Sequence, residues 1–126
     1  LPLMDEAIAK REAIYERLYA AMMSGSHDFT PHKRDHIKRL SAFCLPMLCA
    51  DNATRTRYIK RFTDAGVEVR PLIAGNIQRH PFWKKAGLSV TQTPVADCMS
   101  HCGFYAPLRP DLTEEELTII EGCLRD

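Results

Sequence analysis

Three short apolar stretches constrain the fold of this chain more than any other feature: Leu40–Cys49 (LSAFCLPMLC), Val67–Ile73 (VEVRPLI) and Phe104–Leu108 (FYAPL). Each has the length of a strand, and turn or helix signals surround them. Pro46 assigns the first to an edge or bulged position, because proline leaves a gap in the ladder of amide donors. In the second, Val67, Val69 and Pro71 alternate with Glu68 and Arg70. Phe104–Leu108 is closed by Arg109-Pro110.

Helical patterns lie around these stretches. Residues Leu3 to Met22 form a long amphipathic segment with Met4, Ile8, Tyr15, Leu18 and Met22 at three- and four-residue steps. Arg11 interrupts that face and is expected to lay its stem along the core edge with its head in water. Ser24–His32 reads as a loop, and Lys33–Arg39 is basic and weakly periodic. Asp51 is placed to cap a helix running through Ala65, with Tyr58, Ile59 and Phe62 inward and Gly66 as its stop. Asn76–Lys85 reads as a turn and a short helix, Ala86–Val95 as extended or loop, and Val95–Cys102 as one or two helical turns. Thr113 and Glu116 have the spacing of a capping box for a last helix, with Leu112 and Leu117 as its staple. On that helix Leu117, Ile120, Cys123 and Leu124 point inward. Few strands, few helices and one helix much longer than the rest predict an α+β fold. The expected form is a small, mainly antiparallel sheet with helices packed on one face and a long N-terminal helix.

The 126 residues suit a single domain, 1–126, large enough to bury a core without disulfides. A formal net charge of +1 supplies no global field for nucleic acid or acidic lipid. No apolar run approaches the ~18 residues of a membrane-spanning helix. The expectation is a cytoplasmic protein with neither nucleic acid nor membrane among its partners. Five cysteines at scattered spacings read as reduced, buried thiols. Cys98, His101 and Cys102 lie close together but supply only three ligands, with no CxxC pair, so no metal is expected. The basic run Arg55–Arg61 (RTRYIKR) reads as a solvated helix flank, with nucleic-acid contact through its phosphates as the alternative. His27, His32 and His36 read as solvated surface histidines.

The stretch VRPLIAGNIQRHPFW, Val69 to Trp83, gathers Arg70, Asn76, Arg79 and His80 around Gly75. Glycine permits a backbone geometry other residues resist. Asn can bond its own backbone or offer an amide to a ligand, and Arg matches phosphate or carboxylate as a two-pronged donor. The stretch is either a ligand site or a capped turn with surface arginines.

Its residues resemble the C-terminal part of the DegT/DnrJ/EryC1/StrS family. The family's pattern of strand, Arg, apolar residues, Gly-Asn and Arg-Gln-Pro before an aromatic appears as Arg70, Gly75, Asn76, Arg79, His80, Pro81 and Phe82, with His80 where Gln is usual. Gly103-Phe104-Tyr105, Pro107 and Pro110-Asp111-Leu112-Thr113 resemble the family's closing motif, and LPLMDEAIAKREAIYERL its long connecting helix. The resemblance covers nearly the whole chain. It implies the small C-terminal domain of a much longer pyridoxal-phosphate (PLP) enzyme of the aspartate-aminotransferase fold. Such an enzyme acts on a keto-sugar that is usually nucleotide-linked. PLP and its lysine would then lie upstream of Leu1, and the chain alone would be inactive.

On that basis Arg70, Asn76, Arg79, His80 and His101 are expected to bind substrate, and none to be catalytic. Arg109 is either substrate-side or a strand cap. The implied partners are a nucleotide sugar, an amino donor such as glutamate, and a second subunit in a homodimer. A sugar 3-dehydratase, in which a histidine replaces the lysine, is the close variant. A free-standing interaction module built on the basic helix, and a structural unit pairing through its first helix, are the remaining alternatives.

Overall fold

The computed structural model describes residues 2–25, 27–73 and 75–125. Helix α1, Pro2–Gly25, is 24 residues long and extends past the expected end at Met22, taking in Ser24 and Gly25. Of the loop expected at Ser24–His32, Ser26 lies outside the described residues. Buried positions on α1 begin only at Ile14 and continue through Tyr15, Leu18, Ala21 and Met22. Met4, expected on the core face, is exposed, as is Leu3. Length explains this. The helix spans about 36 Å at 1.5 Å per residue, whereas the five-residue strand it packs on spans about 17 Å. Its first turns therefore outrun the core. Arg11 is held more deeply than expected: its Nε is buried with no hydrogen-bond partner among the described residues.

The segment after α1 doubles back along that helix. His32 donates its amide to the Tyr19 hydroxyl (3.1 Å), Arg34 pairs with Glu16 (2.5 Å) and Arg39 with Asp5 (3.1 Å). The Leu40 amide donates to Glu12 (2.7 Å). The basic character of Lys33–Arg39 is thus partly answered by the acids of α1. His32, expected in solvent, is half-buried; its ring meets the Tyr15 hydroxyl at 2.5 Å.

The sheet has three strands, β1 (Cys44–Leu48), β2 (Arg70–Pro71) and β3 (Gly103–Pro107), in the order β1-β3-β2 with both pairs antiparallel. β1 occupies an edge, the place its Pro46 allows. β2 is much shorter than the expected Val67–Ile73. The Val67 amide closes the helix Asn52–Asp64 by donating to Phe62 O, and the Gly75 amide already turns back to Leu72 O, which leaves two residues for pairing.

Leu45, Met47, Phe104 and Ala106 form the buried face of the sheet. Helix α2 (Asn52–Asp64) lays Tyr58 and Phe62 on it, with Phe62 and Phe104 edge to face at 5.9 Å. Helix α5 (Glu114–Leu124) adds Leu117, Ile120, Cys123 and Leu124. Both helices begin where the sequence predicts. Asp51 accepts the Thr54 amide at 2.7 Å, and Thr113 and Glu116 close a reciprocal capping box at 3.2 and 2.8 Å. Gly66, at φ 75°, stops α2 in the left-handed region that favours glycine. The result is the expected α+β fold. Between β2 and β3 lie a 3-10 turn (Ile77–Arg79), α3 (Pro81–Lys85) and α4 (Pro94–Cys102), which leads directly into β3.

Candidate functional site

The geometry of the site starts at Gly75. Its φ of 54° is left-handed, and a Cβ there would lie 2.6 Å from Ser100 Oγ. Only glycine lets the chain turn this close to α4. The turn delivers Asn76 into the fold, where it is 3% exposed and the buried polar residue of the described chain. Its Oδ1 accepts the Gln78 amide (3.1 Å), capping the 3-10 turn. Its Nδ2 donates to Thr93 Oγ1 (2.8 Å) and Asp97 Oδ1 (2.7 Å). Both amide hydrogens are thereby used.

Asp97 is the residue on which this region converges. Its Oδ1 also accepts from Arg79 Nε and its Oδ2 from Arg79 Nη2, each at 3.0 Å, a two-pronged pairing. Its main-chain oxygen lies 2.7 Å from His101 Nδ1, one turn along α4. Arg79 and, to a lesser degree, Asn76 hold the Asp97 carboxyl below the usual carboxylate range. The carboxylate in turn raises the Arg79 guanidinium. A surface groove of about 400 Å³ runs beside the pair, lined by Arg79, Val90, Thr91, Gln92, Thr93, Pro94 and Asp97.

Asp97 therefore joins three of the five residues singled out in the sequence: Asn76, Arg79 and His101. Arg70 stands apart. It is exposed on β2 opposite Tyr105 and pairs with Glu68 at 2.5 Å. His80 is exposed at the head of α3, its ring 6.0 Å from that of Phe82. Because directly paired residues point to the same face of a sheet, Arg70, Tyr105 and Pro46 share the face opposite the helices. Sequence reasoning missed Asp97. An acid in the first turn of a helix reads as complementing the helix dipole, and nothing local announces a partner 18 positions away.

The other charged motifs are engaged within the fold. On α2, Arg55 donates to Gly103 O (3.0 Å), Arg57 pairs with Asp28 (2.5 Å), Lys60 with Asp64 (2.5 Å), and Arg61 donates to Arg125 O (2.6 Å). Arg109 pairs with Asp111 (3.5 Å) and Glu116 (3.2 Å) at the start of α5. Among the described residues no group of three His, Cys, Asp or Glu side chains is arranged to hold a metal ion, and no helix is long and apolar enough to cross a membrane.

The family model for the DegT/DnrJ/EryC1/StrS aminotransferases matches residues 1–125. The chain belongs to this family. Solved structures repeat the fold. An aminotransferase from Psychrobacter cryohalolentis superimposes with a TM-score of 0.81 at 19% identity, over 96% of this chain and 34% of that one. The sugar aminotransferase CalS13 from Micromonospora echinospora gives 0.78 at 17%, over 96% and 31%. The E. coli GDP-4-keto-6-deoxy-D-mannose-3-dehydratase with bound hydrated PLP gives 0.77 at 16%, again over 96% and 31%. The chain spans about a third of the length of the solved structures it matches. No curated protein gives a significant match.

The family is PLP-dependent, but the residues present here do not fit that cofactor. In an aminotransferase PLP is held through a lysine amine in a site that also receives its phosphate. Lys10, Lys33, Lys38, Lys60, Lys84 and Lys85 are all exposed. Lys10 and Lys60 pair with acids one helical turn away, and Lys38 shares its groove with Glu12, Glu16 and Asp35.

Proposed function

We propose that this chain is the small, substrate-side C-terminal domain of a PLP-dependent keto-sugar aminotransferase, with a nucleotide-linked sugar as substrate. The observation that carries this reading is the family match over residues 1–125 on a chain whose lysines are all exposed. The cofactor chemistry then belongs to further polypeptide, and this domain is inactive alone. Arg70, Arg79, His80 and His101 supply donors toward sugar hydroxyls, the diphosphate or the carboxylate of an amino donor such as glutamate. Asn76, with both amide hydrogens engaged, contributes by holding that surface in shape. Such groups orient substrate and leave the bond-making to the cofactor. A cytoplasmic homodimer working in surface-polysaccharide or secondary-metabolite sugar synthesis completes the proposal.

The sugar 3-dehydratase is the second reading, favoured by the E. coli dehydratase matching at a TM-score close to those of the aminotransferases. Borohydride reduction of the full-length holoenzyme separates the two: PLP fixed covalently to a lysine supports the aminotransferase, and cofactor left releasable supports the dehydratase. For the substrate surface itself, Arg70→Ala in the holoenzyme is expected to raise KM for the keto-sugar about tenfold. The melting temperature should stay unmoved, because Arg70 is exposed and pairs only with exposed Glu68. An unchanged KM removes Arg70 from the site.

A further inference from the structure

We infer that Asp97 is the positioning residue that presents Arg79 to the anionic part of the substrate. This rests on the reading of Arg79 as a substrate-side donor and adds the group that aims it. An exposed arginine has several rotatable bonds, and holding it in one pose costs entropy that weakens any ligand it must find. Here the pose is set before a ligand arrives. Asp97 takes the Nε edge of Arg79 with two bonds at 3.0 Å. The carboxylate is itself held by Asn76 Nδ2 at 2.7 Å, and Asn76 by Thr93 Oγ1 at 2.8 Å and the Gln78 amide at 3.1 Å. Rigidity thus passes from the buried Asn76 outward to an arginine whose side chain is 60% exposed. The opposite edge of the guanidinium, Nη1 with the second hydrogen of Nη2, makes no bond with the described residues. That edge has the spacing to grip two oxygens of a phosphate or carboxylate.

The two charges of the pair offset one another, so a bound anion gains from the aim of the donors more than from net field. This separates positioning from simple neutralisation by the sign of an effect. If Asp97 only cancelled charge, removing its charge would tighten anion binding. If it positions Arg79, removing it loosens binding despite the added positive charge.

The test is calorimetric titration of the holoenzyme with inorganic pyrophosphate, comparing wild type, Arg79→Ala, Asp97→Asn and Asp97→Glu. Arg79→Ala should weaken binding about tenfold. Asp97→Asn, which keeps the shape and loses the charge, should weaken it about fivefold. Asp97→Glu, which keeps the charge and moves the oxygens, should also weaken it, and it decides the matter if the Asn variant does not fold. Equal or tighter binding in the Asp97 variants, with Arg79→Ala still weakened, overturns the positioning role and leaves the substrate surface standing. No binding in wild type, or no loss in Arg79→Ala, overturns the substrate reading of Arg79 and this inference with it.

Discussion

At the scale of single residues, Asn76 and Arg79 show how two polar groups four positions or fewer from a glycine turn take opposite fates. Asn76 is sealed inside by three hydrogen bonds; Arg79 lies outside, fastened by two. Asn76→Ala leaves the Gln78 amide, Thr93 and Asp97 each short of a partner. It should cost roughly 1–3 kcal/mol of stability, read as a lower urea midpoint by circular dichroism; an unmoved midpoint would overturn the structural role of Asn76. The sequence made the chemistry of Arg70, Asn76, Arg79 and His80 visible, because residue type states what a side chain can donate. It did not reveal which donors were already taken. That depends on Asp97 of α4 and Thr93 just before it, a contact between segments 17 to 21 positions apart.

At the scale of elements, legibility followed local chemistry. Helices α2 and α5 begin at the residues their caps named, because an N-cap bonds an amide only three positions ahead. The length of β2 was not legible: alternation over Val67–Ile73 is real, but the closing of α2 and the Gly75 turn take its ends. His32 was misread for a related reason, since burial came from α1 and β1 and not from its neighbours. Its ring meets the Tyr15 hydroxyl, with the Arg34 guanidinium stacked over the Tyr15 and Tyr19 rings nearby. Burial, first, and the Arg34 charge push the imidazole below its usual value, while the Pro46 carbonyl works the other way. A histidine lowered in the folded state binds its proton more tightly when unfolded. Its contribution to stability is fully present above about pH 6.5 and declines as pH falls below that. Urea midpoints taken between neutral and mildly acidic pH should drop with acidification, and His32→Gln should flatten that slope. An equal slope in both proteins would rule out His32 as its source.

At the scale of the whole molecule, the layer order was predictable from three strands and a few amphipathic helices, whereas the β1-β3-β2 order was not. The last strand in sequence sits between the other two, and no local pattern states that. The long α1 carries exposed Leu3 and Met4 well past the core, an apolar tip consistent with the proposed homodimer. Light scattering should find the chain self-associated and Met4→Glu shifted toward the monomer; an identical mass for both would place any subunit contact elsewhere.

The two outer strands narrow where such a contact can form. On β1, Pro46 offers no amide, and residues 28–30 already take the outward groups at Leu48 and Ala50. On β2 the rim is two residues long and one of them is Pro71. A neighbouring copy finds no run of backbone donors to zip onto, so two such molecules meet through side chains and not by extending the sheet.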